Sequence, residues 1–380
     1  MQLPHGERPL AHGEVPLPHG ELPLAPGERP LPHGEPPLPH GEPPLPHGEP
    51  PLAHGEVPLR QVAPPLPQVA ALGGGHGLYA TLRALRPVSE TLTAIVTVAD
   101  DGGSSGRLRE ELGVVPPGDL RMALSALCED TEWGTTWRDV LQSRFSSDGP
   151  LDGHAVGNLL IAALWERTGD VVGGLDWVAR LLRAEGRVLP VSDEPVAIRA
   201  IVRGPDGPHT AVGQVAVATA NGPIERLSLE PATPRVPHAT LEAIASADFV
   251  VLGPGSWYTS VLTHFLVPEV CTALVTASSR AILTLNIADE DVETRGMHRV
   301  DEIAALREMA PNFVPRVVLA DSAEAADGRL ERAVAEWGSE LVTAPMRAAH
   351  AIDRHDHALL SAQYGRVFAM VGATGAATPR

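Results

Sequence analysis

Residues 92–113 are LTAIVTVADDGGSSGRLREELG, and their pattern indicates the fold class. The first seven residues are uncharged and rich in β-branched side chains, which predicts a buried strand. The strand ends at Asp100 and Asp101, and small residues follow them. A buried strand that ends in this way is typical of a parallel α/β sheet, in which ligands bind beyond the carboxyl ends of the strands.

The same alternation of strands and helices extends in both directions from this stretch. Strands are predicted at 68–72, 92–98, 248–252, 280–287 and 315–320, and helices at 78–85, 118–128, 136–145, 154–168, 172–185, 239–246, 257–266 and 299–309. Short β-rich runs at 187–191, 196–203, 211–219 and 223–229 are separated by Gly-Pro and Asn-Gly turns. We therefore predict an α/β fold, Rossmann-like and doubly wound, whose mainly parallel sheet carries a small antiparallel β insert at about 187–230.

The first 67 residues differ in composition from the rest. Of the 38 prolines, 20 lie before residue 68, and a heptapeptide close to LPHGExP recurs from Leu3 to Pro58. The regular leucine spacing does not predict a coiled coil, because proline and glycine cost a helix about 3 and about 1 kcal/mol per site. Histidines such as His5 lie two residues before a glutamate, so the repeat can bind a metal weakly. It can equally be a solvated extension without a ligand, or the result of a start codon assigned too early. We expect a disordered arm over 1–67, one domain over 68–370 and a flexible tail over 371–380.

Composition excludes several classes of protein. The net charge is −18 and all 29 basic residues are arginine, so a nucleic-acid surface is not expected. The absence of lysine excludes Schiff-base and P-loop chemistry. No apolar run reaches the roughly 20 residues of a membrane span, and the N-terminus lacks the features of a signal peptide. We expect a soluble, cytoplasmic protein in which Cys128 and Cys271 are reduced thiols.

Two glycine-rich loops each join a predicted strand to a helix. They are GGGHG at 73–77 and LGPGSWYTS at 252–260. Such a loop brings backbone N–H groups and the positive end of a helix dipole to a phosphate, although a tight turn also needs glycine. Ser256, Thr259 and Ser260 can bind the ligand or cap the helix. Two such loops indicate that the chain binds the two ends of one dinucleotide or nucleotide-sugar. We therefore expect Gly75, Asp101 and Ser256 to line one cavity.

The paired carboxylates of Asp100 and Asp101 have two interpretations. They can hold a divalent cation such as Mg²⁺ that bridges phosphates, or bind sugar hydroxyls. Ser104 and Ser105 can then donate to phosphate oxygens. The alternative is a helix N-cap in a solvated acidic loop, which accounts for Ser105 but not for two carboxylates directly after a buried strand.

Two further motifs open helices. PPGDLR at 116–121 places Asp119 and Arg121 in a first turn, where Asp119 can be a cap and Arg121 can contact an anion. GHAVGNLL at 153–160 places His154 and Asn158 before an apolar helix. His154 can be a general acid, a phosphate donor, or a helix-start residue without a partner.

In this order, GGGxGL, TVADDGGSSGRLREELG, PPGDLR, GHxxGNLL and GPGSWYTS resemble the gluconeogenesis factor family. That family shares a superfamily with the 2-phospho-L-lactate transferase of deazaflavin-coenzyme synthesis. The resemblance runs from about Gln68 to near Val367 and includes Arg354-His355-Asp356. It implies a Rossmann-like, UDP-sugar-binding, cytoplasmic bacterial protein that maintains cell shape during gluconeogenic growth, and a sensor rather than a catalyst.

The resemblance also implies which residues bind the ligand. They are Gly74, Gly75, His76, Asp100, Asp101, Ser104, Ser105, Arg107, Asp119, Arg121, His154, Asn158, Gly255, Ser256, Thr259, Asn286 and Glu293. The chain departs from the family at His76, where threonine is usual, and at Met122, where asparagine is usual. In the later segment Asn286, Glu293 and Thr294 match, whereas Glu290 and Val292 replace glutamine and glycine. These departures imply a weaker affinity or an altered ligand preference.

Three functions fit these residues. The first is a UDP-sugar-binding regulator without turnover, which acts as a monomer or homodimer on a protein partner that the sequence does not identify. The second is a transferase that moves a phospholactyl-type group from a nucleotide diphosphate donor to a deazaflavin precursor, aided by Asp100, Asp101 and Arg107. The third is a scaffold with a decayed site. The GGSSGRLREELG loop favours the first, as does the scarcity of aromatic residues for stacking a flat ring.

Overall fold

A seven-stranded sheet runs through the part of the chain that the computed structural model describes, residues 65–375 without 206, 288–293 and 295. Glu290, Val292, Glu293 and the heptapeptide repeat lie outside these residues. The strands are β1 (Gln68–Gly73), β2 (Thr91–Val96), β3 (Arg187–Pro190), β4 (Ala197–Gly204), β5 (Gly207–Val212), β6 (Ile224–Glu230), β7 (Phe249–Leu252), β8 (Ala281–Thr284), β9 (Val317–Asp321), β10 (Glu340–Ala344), β11 (Arg347–Ala348) and β12 (Ala351–His355).

Thirteen α-helices lie in the same described ranges. They are α1 (Gly75–Leu85), α2 (Gly103–Leu112), α3 (Gly118–Leu127), α4 (Glu132–Gln142), α5 (Val156–Thr168), α6 (Val171–Leu182), α7 (Gln214–Ala218), α8 (His238–Ser246), α9 (Thr263–Leu266), α10 (Pro268–Thr276), α11 (Arg299–Met309), α12 (Arg329–Trp337) and α13 (His357–Gly375). A π-helical turn, Trp257–Val261, precedes α9. No helix among these described residues combines the length and the hydropathy of a membrane span.

The main sheet has the order β10-β9-β8-β7-β1-β2-β3, and its neighbouring strands are parallel. Its central strands are apolar because helices cover both faces of a doubly wound sheet. Residues 69–72 of β1 are at most 2% exposed. The chain builds β1, β2 and β3 outward in one direction and β7 to β10 in the other. The strand order therefore reverses between β1 and β7, which confirms the predicted α/β fold.

The antiparallel insert is a three-stranded sheet of order β5-β4-β6. The predicted strand at 187–191 is not part of it, because β3 pairs with β2 in the main sheet. The predicted strand at 211–219 is also wrong. Gly213, with φ +97°, follows the last residue of β5 and is the N-cap of α7, so the alternating valines and alanines of this stretch lie on a helix.

Other elements differ from the prediction in their bounds or were not predicted. The helix expected at 257–266 is divided into the π-helical turn and α9. Nothing was predicted for α10, α12, β10, β11 or β12. α13 continues to Gly375, into the stretch expected to be a flexible tail. The two cysteines are free thiols, and burial raises the pKa of Cys128 to about 11.

Candidate functional site

A cleft of about 660 Å³ lies where the strand order reverses. The loops that follow β1 and β7 form its floor, as expected for a ligand site at a topological switch point. Helix α3, the insert and the start of α13 complete its walls. The described lining residues are Gly75, His76, Gly77, Tyr79, Ala80, Asp119, Met122, Gln214, Pro254, Gly255, Ser256, Ser260, Asn286, Ile287, Arg354, His355 and His357.

The two glycine-rich loops touch each other through their backbones. A Cβ atom on Gly77 would collide with the carbonyl oxygen of Pro254 and would lie 2.6 Å from Cα of Gly255. Only glycine allows this approach. The first turn of α1, whose leading N–H groups have no acceptor within the helix, therefore lies directly beside the second loop.

The second loop is fixed by the side chain of Asn286, which follows β8. Its Nδ2 donates to the carbonyl oxygen of Gly255 at 2.9 Å, and its Oδ1 accepts from the N–H of Gly255 at 2.9 Å. Ile287, the next residue, is held by Arg347, which donates to its carbonyl oxygen at 2.8 Å. Asn286 thus lines the cleft and also supports the loop that forms the floor.

The charge of the cleft suits an anion. Its described lining carries one carboxyl group, that of Asp119, together with Arg354 and the imidazoles of His76, His355 and His357. This contrasts with a net charge of −18 for the whole chain. Burial lowers the pKa of His355 to about 4 and also lowers that of His357, so these two rings are neutral hydrogen-bonding groups near pH 7.

Asp119 is the second residue of α3 and lies half-buried beside the first glycine loop. Burial raises the pKa of its carboxyl group to about 7, and the negative charge of Asp100 adds to this effect. The N–H of Gly75 and the charge of Arg121 act in the opposite direction. A large fraction of Asp119 is therefore protonated at neutral pH and does not repel an anionic ligand.

The carboxylates of Asp100 and Asp101 do not converge on one point. Asp100 Oδ1 accepts from the N–H of Gly102 at 2.9 Å, whereas Asp101 Oδ1 accepts from the N–H of Val215 in the insert at 2.9 Å. Asp101 lies outside the cleft, which contains Gly75 and Ser256. The described residues include no group of three or more His, Cys, Asp or Glu side chains arranged to hold a metal ion. The pair does not fit a divalent cation, and a cation that arrives with a diphosphate stays a prediction.

Several residues expected to bind the ligand form hydrogen bonds with each other. Ser104 Oγ lies 3.1 Å from Nδ1 of His154 and accepts from Nδ2 of Asn158 at 3.1 Å. Asn158 Oδ1 accepts from Nε of Arg121 at 2.8 Å, and Arg121 also binds Gln142. Apart from Gln142, all these residues are at most 6% exposed. The network joins α2, α3, α4 and α5, and burial lowers the pKa of Arg121 to about 10 and that of His154.

The remaining expected residues lie around the cleft or away from it. Ser105 is a third partner of Asn158 and accepts from its Nδ2 at 3.5 Å. Arg107 does not line the cleft and donates to the carbonyl oxygens of Pro150 and Asp152, at 3.2 and 2.7 Å. Gly74 is the N-cap of α1, and Thr259 is 1% exposed within the π-helical turn.

The cleft therefore brings together Gly75, His76, Asp119, Gly255, Ser256 and Asn286 from the expected set. Sequence reasoning missed Tyr79, His357 and Gln214 as lining residues. Tyr79 follows the first glycine loop by half a helical turn, which is a usable signal. Gln214 comes from the insert, and nothing in its sequence context indicates a place in the cleft.

Comparison with known proteins gives one consistent relationship. Residues 69–357 match the family model described as 2-phospho-L-lactate transferase CofD. The chain is 48% identical over 256 residues to the putative gluconeogenesis factor of Mycobacterium tuberculosis strain H37Rv, an alignment that covers 66% of this chain and 75% of that protein. It is 36% identical over 251 residues to the gluconeogenesis factor of Bacillus subtilis strain 168, covering 66% and 77%.

A solved structure agrees with this relationship. The crystal structure of a UPF0052 family protein from Bacillus halodurans superposes with a TM-score of 0.71 at 33% sequence identity. The superposition covers 79% of this chain and 99% of that one. The resemblance drawn from the motifs is thereby confirmed for both the family and its superfamily.

Proposed function

The chain belongs to the CofD family, and the relatives that it resembles are gluconeogenesis factors. We propose that it is a cytoplasmic regulator that binds a UDP-sugar. The name of its relatives supports a role in gluconeogenic growth, where we expect the bound state to support cell shape.

The observation that carries the proposal is the backbone contact between the two glycine loops at the floor of one cleft. Gly77 touches Pro254 and Gly255, so N–H groups at the start of α1 and of the second loop can reach the oxygens of one diphosphate. The volume of about 660 Å³ is within the range of small-molecule sites, about 300–1,000 Å³. Arg354 at the cleft and a protonated Asp119 favour an anion.

The position of the charged side chains favours a regulator over a transferase. In-line phosphoryl transfer needs charge stabilisation at the reacting phosphorus. The carboxylates of Asp100 and Asp101 and the guanidinium of Arg107 are hydrogen-bonded outside the cleft. A flat deazaflavin ring needs aromatic side chains for stacking. Apart from its imidazoles, the described lining offers one aromatic ring, that of Tyr79.

The description of the matching family model favours the second candidate, a 2-phospho-L-lactate transferase. The two candidates separate on ligand class. The regulator requires a UDP-sugar alone, whereas the transferase requires a phospholactyl nucleotide and a deazaflavin acceptor, and it consumes both.

A thermal-shift screen tests the proposal. UDP-glucose and UDP-N-acetylglucosamine, at 100 times their Kd, should stabilise the folded state by about 2.7 kcal/mol. Arg354→Gln should reduce this shift, while Arg332→Gln, at an exposed position on α12, should not. A chain that responds to GTP-type nucleotides and a deazaflavin, and not to UDP-sugars, would refute the regulator and support the transferase.

A further inference from the structure

We propose that Gln214 is a specificity-determining residue of the cleft and that Asp101 is the positioning residue that places it there. This inference rests on the proposed function, because it describes one wall of the same site. It assigns to the insert a direct part in ligand recognition.

Gln214 has an unmade hydrogen bond. Its side chain lines the cleft, yet its Oε1 is enclosed and accepts no hydrogen bond from any described residue. A buried acceptor left in this state costs about 1–3 kcal/mol, so such atoms are rare unless a ligand or water completes them. The missing partner must be a donor, because an amide oxygen only accepts. A phosphate oxygen cannot supply it, whereas a sugar hydroxyl or the imide N–H of a base can, once a rotation about the side-chain bonds of Gln214 turns the enclosed Oε1 toward the cleft.

Asp101 holds the helix that carries Gln214. Its Oδ1 accepts from the N–H of Val215, the second residue of α7, at 2.9 Å. This is the interaction of an N-capping carboxylate, supplied here from a distant part of the chain. At the opposite end of this short helix, Val217 is completely buried. The two anchors fix the direction in which Gln214 points.

Gly213 shows that this contact is close. A Cβ atom at this position would collide with Oδ2 of Asp101, and the residue has φ +97°. Both features require glycine. Val215 packs on the same loop, since its Cγ2 would lie 3.1 Å from a Cβ on Gly102. The paired-aspartate motif therefore supports the insert, and its second carboxylate acts on the ligand through Gln214.

Calorimetric titration with UDP-glucose, UDP and UMP tests Gln214. Gln214→Leu should weaken binding of the ligand that carries the donor by about three- to tenfold. A loss with all three ligands assigns the donor to the uridine that they share, through its base or its ribose, and a loss with UDP-glucose alone assigns it to the glucose. Val212→Ser, an exposed change on β5 of the same insert, should leave all three affinities unchanged. Unchanged affinities in Gln214→Leu would overturn the assignment.

Asp101 is tested by a conservative pair of variants. Asn keeps a side-chain oxygen that accepts from Val215, so Asp101→Asn should bind like the unmodified protein, while Asp101→Ala should lose as much affinity as Gln214→Leu. The double variant Asp101→Ala/Gln214→Leu should bind the ligand no more weakly than either single variant, because both changes remove the same hydrogen bond between Gln214 and the ligand. Equal losses in Asp101→Asn and Asp101→Ala, or additive losses in the double variant, would instead make Asp101 a direct ligand or metal contact.

Hydrogen exchange separates this inference from the proposed function. In the ligand-free protein, Asp101→Ala should raise the exchange rate of the Val215 amide at least tenfold, and Asp101→Asn should not. Unchanged protection of that amide refutes the positioning role. A chain that binds no nucleotide-sugar, yet shows this change in exchange, refutes the proposed function and leaves the link between Asp101 and α7 intact.

Discussion

Asn286 binds both backbone polar groups of Gly255, donating to the carbonyl oxygen and accepting from the N–H at 2.9 Å each. The side-chain amide thus bonds both the N–H and the C=O of one residue, as a paired residue of a neighbouring strand does. It joins the segment after β8 to the segment after β7, at the edge of the sheet where the cleft lies. The floor of the cleft depends on this one amide.

Replacing this amide should loosen the second glycine loop. Asn286→Ala leaves the N–H and C=O of Gly255 without protein partners, and we expect a loss of about 1–3 kcal/mol in the free energy of unfolding. UDP-sugar affinity should fall more than tenfold, because the loop no longer holds its shape. Denaturant unfolding and calorimetry measure the two effects. Asn312→Ala, at an exposed position, is the control, and equal behaviour of both variants would contradict the role of Asn286.

Closing the gap between the two loops should be still more damaging. Gly77→Ala forces a methyl group into Pro254 and Gly255, and we expect it to cost about 2–4 kcal/mol and to abolish ligand binding. Gly365→Ala is the matched control, since it also lies in a helix and its Cβ would meet only Val88, at 3.6 Å. That variant should gain up to about 1 kcal/mol from helix propensity. Similar melting temperatures for the two variants would disprove the close contact.

Part of this site could be predicted from sequence because its cause is local. A glycine cluster directly after a buried strand predicts a strand-to-helix loop, and parallel strands bring such loops to one edge. The orientation of Asp101 is also local in origin, since successive side chains of an extended chain point to opposite sides. Treating Asp100 and Asp101 as one pair overlooked this. Gln214 reaches the cleft through the packing of α7, which no local pattern indicates.

The buried network could not be predicted for a related reason. Ser104 and His154 are separated by 50 residues, and both are residue types common in active sites. Their side chains face inward because α2 and α5 pack against each other. A polar residue beside a glycine-rich loop can therefore serve the ligand or the scaffold, and only the fold decides between them.

This network should contribute to stability rather than to binding. Asn158→Ala removes bonds to Ser104, Ser105 and Arg121 at once and leaves Arg121 buried with fewer partners. We expect a loss of about 2–4 kcal/mol in the free energy of unfolding, with UDP-sugar affinity within about threefold of normal at 10 °C. Parallel denaturation and titration measure this. A variant that unfolds normally but does not bind would show that Asn158 contacts the ligand.

Asp119 should make stability fall as pH rises. Because its pKa is raised in the folded protein from 3.8 to about 7, the folded state binds more protons than the unfolded state between these values. The free energy of unfolding should therefore decrease from about pH 4 to pH 7 and level off above that. The shift sets an upper limit near 4 kcal/mol, and water in the cleft reduces it to about 1–3 kcal/mol. Asp119→Asn should lack this decrease, and Asp148→Asn, at an exposed position, should keep it.

Ligand affinity should also depend on the protonation state of Asp119. Above pH 7 the ionised carboxylate of Asp119 lies at the floor of the cleft and repels a diphosphate, so UDP-sugar affinity should fall by about three- to tenfold between pH 6 and pH 8. The informative quantity is the difference in affinity between the unmodified protein and Asp119→Asn at each pH. That difference should widen above pH 7 in favour of the asparagine variant. A constant ratio of the two Kd values across this range would mean that Asp119 keeps one charge state when the ligand binds.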